Sequence, residues 1–440
     1  MSWITDFADS FTYGTSTGNI SGGMVTYYDR KFLRGIVEEL RLAPLGQKRD
    51  LPKGNGKTIQ FFRYNDISVS ASSAYLTEGI NPNATNITGQ NISATLAEYG
   101  GFSQHSSLIK STHLDRNLAG VAGLWGNHAA ALIDLLTHME VCACGAYPMR
   151  ADGNNTGDGT YSFEGTVDSA TTTGIIDTDM SANTNFGDGN DDANQSIIVI
   201  RTGTGKGQAR PVTDYVTATG AITVSPAWDV TPAAGDTYHV LSAHGLTTGT
   251  DILTTTNIRA AVTRLRNNKA APYGGGFYVG IISPDTEAGL MADTNWTNVM
   301  QYRDRPDVKV NGLFANEVGE WGGVRFVRTT QPFRFPITTV GTAGTAYGVG
   351  AFVPGTSYTN YAATGAVYAN LILGREAFGV TRLSGAGNVL KPGIIIKNPG
   401  SGDTSNPLNR FSTVGWTLPF VPKALNPLFA VQLWSTPTAY

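Results

Sequence analysis

The 440-residue sequence predicts an α+β fold that carries a small β-rich insertion. Three observations predict it. Short alternating runs bounded by Gly, Asn, Asp and Pro recur along the chain, the pattern of half-buried strands. One apolar period of three to four residues persists from about Asp115 to Val141, longer than most globular helices. Between about Arg150 and Gly245 the texture changes to acidic, Gly-punctuated and strand-like.

Residues 1–23 are small and polar and read as an arm. Tyr28, Phe32, Leu33, Ile36, Val37 and Leu40 fall at helical spacing opposite Arg30, Lys31, Arg34, Glu38 and Glu39, so an amphipathic helix is expected there, ending before Pro44. Alternation at Thr58–Tyr64 predicts a strand. A long polar tract follows, and alternation resumes from Ala94 to Leu108. Two strands joined by so long a loop make an extended arm, and its buried surface is expected on another molecule.

The Asp115–Val141 helix would be roughly 40 Å long at 1.5 Å per residue, a strut around which other elements pack. Asp115 can cap it, and Leu118, Val121, Trp125, Ala129, Leu132, Leu136 and Met139 form its expected inner face. ADGNNTGDGT after Arg150 is linker-like. Strands are expected at Thr171–Ile176, Ser196–Arg201, Ala221–Val224 and Thr237–Leu241, giving a small β-domain inserted between flexible ends near Gly145 and Gly245. Further on, Asn257–Asn267 reads as a helix and FYVGIIS from Phe277 as a buried strand. Pro284 begins a short helix, VRFVRT from Val324 is a strand, and three more runs at Val389–Ile396, Ser412–Val421 and Leu428–Trp434 close the body.

Charged residues make up only 15% of the chain, below the usual ~25%, which suits surfaces covered by neighbours. The net charge of −3 argues against tight electrostatic binding of nucleic acid. Residues 151–245 hold twelve Asp/Glu against three Lys/Arg, a net of −9, so the remainder carries +6. This asymmetry points to different surroundings on different sides. Cys142 and Cys144 sit too close together for a disulfide framework and read as buried small hydrophobes in a reducing compartment. The N-terminus has no signal-peptide pattern, and no apolar run reaches the ~18 residues of a membrane span.

No motif supports catalysis. GKT at Gly56–Thr58 lacks the preceding Gly of a phosphate loop and is followed by a strand. GTGKG at Gly203–Gly207 reads as a hairpin loop. Ser107 and Lys110 match an SxxK pattern without its companion motifs. His138 with Cys142 and Cys144 lacks a fourth zinc ligand. Asp152, Asn154 and Thr156 start like a calcium loop, but the closing acid, Glu164, comes one position late. Asp188, Asn190 and Asp192 repeat that start without the Gly. Catalytic, cofactor and metal residues are all expected to be absent.

Several segments in order carry a family resemblance. They are YYDRKFLRGIVEELRLAPLGQKRDLPKGNGKTIQFFRY, YLTEGINP, ISPDTEAGLMADTNW, GEWGGVRFVRT, GREAFGV and DTSNPLNRFSTVGWTLPFVPKALNP. They resemble tailed-phage major capsid proteins of the Hong Kong 97 type, in particular the N-four-like podophage group, over about Met24–Tyr147 and Leu246–Trp434. The resemblance implies an N-terminal arm and helix (1–50), an extended E-loop (51–108) and a P domain with its spine helix (109–149). An inserted β-rich domain (150–245), an A domain (246–388) and C-terminal strands returning to the P domain (389–440) would follow. It implies intersubunit contacts on the arm, for which Lys57, Arg63, Tyr75 and Glu78 are the expected residues.

It further implies a shell of pentamers and hexamers around double-stranded DNA, without sequence-specific DNA binding or membrane contact. Portal and scaffolding proteins would be partners, with a decoration or cement protein as a further candidate. Assembly in the bacterial cytoplasm and residence in the virion follow. The acidic insert is expected outside, away from phosphates. A β-rich phage or bacterial adhesin is the rival reading from the Gly, Thr and Asn content. A serine hydrolase through Ser107 and Lys110 is a distant third.

Overall fold

The computed structural model describes residues 40–437 apart from 53, 55, 65–77, 79–86, 88, 107–116, 156–160, 182, 184–195, 244–245, 247–248, 275, 298–316, 330–332, 337–365, 385–392 and 398–409. The predicted N-terminal helix (except Leu40), Tyr75, the arm's tip, the Asp115 cap, Ser107 and Lys110, and Asp188 to Asp192 therefore lie outside the described residues.

Among the described residues one long helix and two sheets organise the body. The helix spans Asn117–Cys144. The first sheet runs in the order Gln47–Pro52, Phe378–Ser384, Phe411–Ala424 and Gly393–Lys397, with Ala97–Ser106 also paired to the 411–424 strand. Tyr99, Trp416, Leu418 and Phe420 pack there with Ala129, Ala130 and Ile133 of the long helix. The second sheet holds Glu317–Trp321, Val324–Arg328, Tyr278–Ile282, Ala366–Leu373, Ala430–Ser435 and Tyr147–Arg150, with Phe333–Pro336 at its side. Helix Thr255–Asn267 turns Ile258, Ala261, Val262 and Leu265 into the main core. Helix Pro284–Met291 begins as expected, with Ser283 and Thr286 forming a reciprocal cap.

The long helix exists where the apolar period placed it, but its buried face differs. Ala122, Ala129, Ala130, Ile133, Asp134, Thr137, His138, Val141 and Cys142 are buried, whereas Val121, Trp125, Leu132, Leu136 and Met139 are half-buried. Small residues let the sheet approach closely, so the larger side chains flank the contact instead of filling it. Buried Asp134 holds the chain entering the body: its Oδ1 accepts the backbone N–H groups of Arg41, Leu42 and Ala43 at 3.3, 2.7 and 3.2 Å.

The segment expected as an insert, called the insert below, forms a seven-stranded sheet in the order 162–166, 237–242, 196–200, 209–216, 221–224, 174–176 and 169–171. The run expected as one strand at Thr171–Ile176 is a tight hairpin, Ser169–Thr171 with Gly174–Ile176. One face has its own core of Ile198, Ile200, Tyr215, Ile222, Tyr238 and Val240. The other face sends Ile197, Val199, Ala209 and Leu241 into the main core. Strand Ser196–Ile200 is thus buried on both faces, as its continuous apolar run requires.

The expected flexible ends are corrected where they are described. Gly145 is buried against the last helical turn, and its N–H bonds to Val141 O at 2.9 Å. Arg150, fully buried, donates to Ser242 O at 2.5 Å and bidentately to Asp152, over the Tyr161 ring. One arginine thereby ties the insert's two chain connections together.

The C-terminal strands divide between the sheets. Phe411–Ala424 lies in the first, and Ala430–Ser435 in the second, between Ala366–Leu373 and Tyr147–Arg150. The expected 389–396 strand is Gly393–Lys397. Strand Phe378–Ser384, assigned with the A domain by resemblance, belongs to the first sheet. The turn Pro427–Phe429 redirects the chain between the two layers.

Candidate functional site

Within the expected arm two strands pair as a ribbon, the root of that arm, and this root is the candidate site. Thr58–Tyr64 pairs antiparallel with Gly89–Thr95, from Thr58↔Thr95 to Tyr64↔Gly89. The returning strand starts five positions before the Ala94 expected from alternation. Gln90 explains the miss, because it is a polar residue at an inward, buried position.

Alternation gives the ribbon two unlike faces. Ile59, Phe61, Ile92 and Ala94 face inward onto Leu51 and Leu425. Each large side chain so buried contributes about 1.5–3 kcal/mol. The expectation that the arm finds its buried surface only on another molecule is therefore corrected for the root, which rests on its own chain. On the outer face, Phe62 is 53% and Tyr64 71% exposed, with their rings 4.7 Å apart in an edge contact. Ile87 nearby is 66% exposed. An apolar group this open, just where the ribbon leaves the body, suits a partner surface.

The expected contact residues separate. Lys57 is exposed, and its carbonyl accepts Leu96 N–H at 2.8 Å to close the ribbon's base. Glu78 is exposed in a turn, and Tyr75 lies outside the described residues. Arg63 turns inward. Its Nη1 donates to Leu425 O at 3.0 Å, and its Nη2 donates to Gln90 Oε1 and Lys206 O, each at 2.7 Å. Burial pulls the guanidinium pKa down from its ordinary value. Among the described residues no carboxylate pairs with Arg63; carbonyl dipoles hold it instead.

A second polar chain runs beneath this junction. Arg210 donates to Asp229 at 2.9 Å, Lys423 Nζ lies 3.8 Å from Asp229 and 3.5 Å from Glu140, and Glu140 accepts the Ala424 N–H at 3.1 Å. Insert, C-terminal strand and long helix are thus linked. The cavity between Gln90, Cys144, Gly207, Arg210 and Leu425 is about 10 Å³, room for about one water and too small for a ligand.

A third link joins Tyr147 to the insert. Tyr147 Oη lies 2.5 Å from His239 Nδ1, and Ser162 Oγ lies 2.9 Å from His239 Nε2. Burial pushes the Tyr147 hydroxyl up to about 12, with the Arg264 guanidinium 3.5 Å from its ring opposing that shift. The same burial, reinforced by Arg264 and Arg201, lowers His239 to about 3. Tyr147 therefore donates to Nδ1, and neutral His239 donates from Nε2 to Ser162. All three groups are buried, so this Ser–His pair is a structural rivet and not a nucleophile.

Cys142, Cys144, Asp152 and Glu164, the described members of the remaining sequence candidates, have other surroundings or partners. Burial raises both thiols, Cys144 to about 12, so Cys142 and Cys144 stay neutral beside a buried His138. Asp152 is occupied by Arg150, and Glu164 by Arg201. No group of metal-binding side chains exists among the described residues, and no described helix is long and apolar enough to cross a membrane.

A phage capsid protein family matches residues 231–388, less than half of the chain. The capsid of Ralstonia phage GP4 aligns over 98% of this chain and 96% of its own, with 13% identity and a TM-score of 0.50. The fold is a phage capsid fold. The capsid of cyanophage Pam1 is similar over 98% of both chains at 13% identity and a TM-score of 0.49. The head of Helicobacter pylori bacteriophage KHP40 is similar over 96% of this chain and 94% of its own, at 9% identity and a TM-score of 0.45. No curated protein matches the sequence. Within this fold the 58–64 and 89–95 ribbon lies beside the seven-stranded sheet of residues 162–242, joined to it through Arg63 and Gln90.

Proposed function

We propose that the chain is the major shell subunit of a tailed-phage head, of the Hong Kong 97 type, assembling as pentamers and hexamers around double-stranded DNA. The observation that carries this reading is the end-to-end likeness to a phage capsid, joined to a ribbon whose outer aromatic face is left open by the described residues. The low charge content supports it, since extensive contacts between copies favour uncharged surface. A subunit of this kind works with portal and scaffolding proteins, acts in the virion and performs no catalysis. The insert reinforces the shell through its rivets to the body. The 28-residue helix packed against a sheet weighs against the β-rich adhesin.

Negative-stain microscopy of the expressed chain tests the proposal. Closed shells, tubes or hexamers are the expected result. Trimeric rods would establish the adhesin, and small monodisperse particles at high concentration would remove the shell reading.

A further inference from the structure

The turn joining strands Ser196–Ile200 and Ala209–Val216 has no role in the insert's own core, yet it is held in one shape from two sides. Gly203 and Gly207 adopt left-handed φ values of 80° and 76°, which glycine accepts without strain. Behind the turn, buried Asp236 accepts the N–H groups of Thr204 and Gly205 at 3.3 Å each, and that of Ala233 at 3.0 Å. Two of the turn's amides are thus drawn toward Asp236, and two of its carbonyls, those of Thr204 and Lys206, face the ribbon. Gln90 Nε2 donates to Thr204 O at 3.0 Å, and Arg63 Nη2 to Lys206 O at 2.7 Å.

Arg63 and Gln90 are directly opposite each other across the ribbon, on its inner face. They form the last inward rung before residues 65–88. A lone two-stranded ribbon is marginally stable and free to twist. The apolar rungs of Ile59 with Ala94 and Phe61 with Ile92 support its base on Leu51 and Leu425, and apolar contact is non-directional. The turn adds a second, directional support one inward step further out. A Cβ on Gly207 would be strained at its left-handed φ of 76° and would press on Arg63 Nη1 at 3.0 Å.

We propose that the insert's 201–207 turn is a bracket that sets the direction in which the ribbon leaves the body. Arg63 and Gln90 are the positioning residues on the ribbon, and Asp236 is the residue that shapes the turn. Its consequence for assembly rests on the shell-subunit reading; the bracket itself is a property of the folded chain. It assigns the insert a task beyond reinforcement: aiming the arm at a neighbouring copy.

The test is hydrogen exchange on full-length subunits carrying Arg63→Gln or Asp236→Asn. Asp236 does not touch the ribbon, so its effect can arrive only through the turn. Both variants are expected to raise exchange at least tenfold in residues 58–64 and 89–95 and to leave 366–373 and 430–435 at wild-type rates. Unchanged ribbon protection in both would overturn the bracket, as would equal loss of protection throughout the chain. Should Asp236→Asn fail to fold, Gly207→Ala carries the same test from the insert's side. Particle yield is the separate arm: shells from wild type with at least tenfold fewer from Arg63→Gln support the coupling to assembly, and equal yields overturn it. Wild type that forms no shells removes the shell reading, while the exchange data still judge the bracket.

Discussion

Two arginines, Arg150 buried and Arg63 half-buried, join the insert to the body, and they do it differently. Arg150 sits where the chain enters and leaves the insert. It is paired bidentately with Asp152, two residues away, and its other partner, Ser242 O, lies on the returning connection. Arg63 joins three segments distant in sequence, through Gln90, Lys206 O and Leu425 O. The first contact is local and anionic. The second is assembled only by the finished fold and uses carbonyls. A local ion pair secures the insert as a structure; a long-range set of carbonyl bonds orients one part of the molecule against another.

Removing the local pair should do the most damage to stability. Arg150→Met is expected to cost about 3–5 kcal/mol, because it strands a partly buried carboxylate and a buried carbonyl. Denaturant midpoints measure this, and a cost under about 1 kcal/mol would show that the connection does not depend on the pair. Arg63→Gln should cost less, about 1–3 kcal/mol, the range for leaving buried acceptors unsatisfied. If it cost more than Arg150→Met in the same titration, the contrast between securing and orienting would fail.

The Tyr147–His239–Ser162 rivet adds a pH test. Above pH 6.5 neither the folded nor the unfolded state protonates His239. Between 6.5 and about 3 only the unfolded chain takes the proton, so stability falls as pH falls. The slope is at most about 1.4 kcal/mol per pH unit. His239→Gln should flatten the stability profile between pH 6 and 4; parallel profiles would show that the rivet does not govern acid sensitivity. The smallest expected effect on stability comes from the ribbon's outer face. Phe62→Ser with Tyr64→Ser should shift subunit stability by no more than about 0.5 kcal/mol while cutting particle yield. A large loss of subunit stability would mean that these rings already have a home on their own chain.

The sequence was most readable where pattern and environment coincide. IIVI at Ile197–Ile200 is apolar throughout and buried on both faces. Ile258, Ala261, Val262 and Leu265 occupy one stripe of one helix. It was least readable where polar or small residues take buried positions. Gln90 hid the start of a strand, and Asp134, Thr137 and His138 lie on the inner face of the long helix where leucines were expected. The sequence marks Arg63 as a contact residue, but two of its three partners are main-chain carbonyls, which carry no side-chain signature. The 203–207 turn was read correctly as a hairpin loop. Its grip on the ribbon depends on residues 114 and 143 positions apart, a distance over which no periodicity speaks.

The central claim is that this ribbon, aimed by its own insert, has its outer face covered only by a second copy. A cryo-EM reconstruction of the assembled particle tests it most directly. The account predicts a closed shell in which Phe62 and Tyr64 of each subunit are buried against a neighbouring subunit, with the Arg63–Lys206 bond intact within each chain. A shell in which both rings face solvent, or in which the ribbon folds back onto its own body, would contradict it.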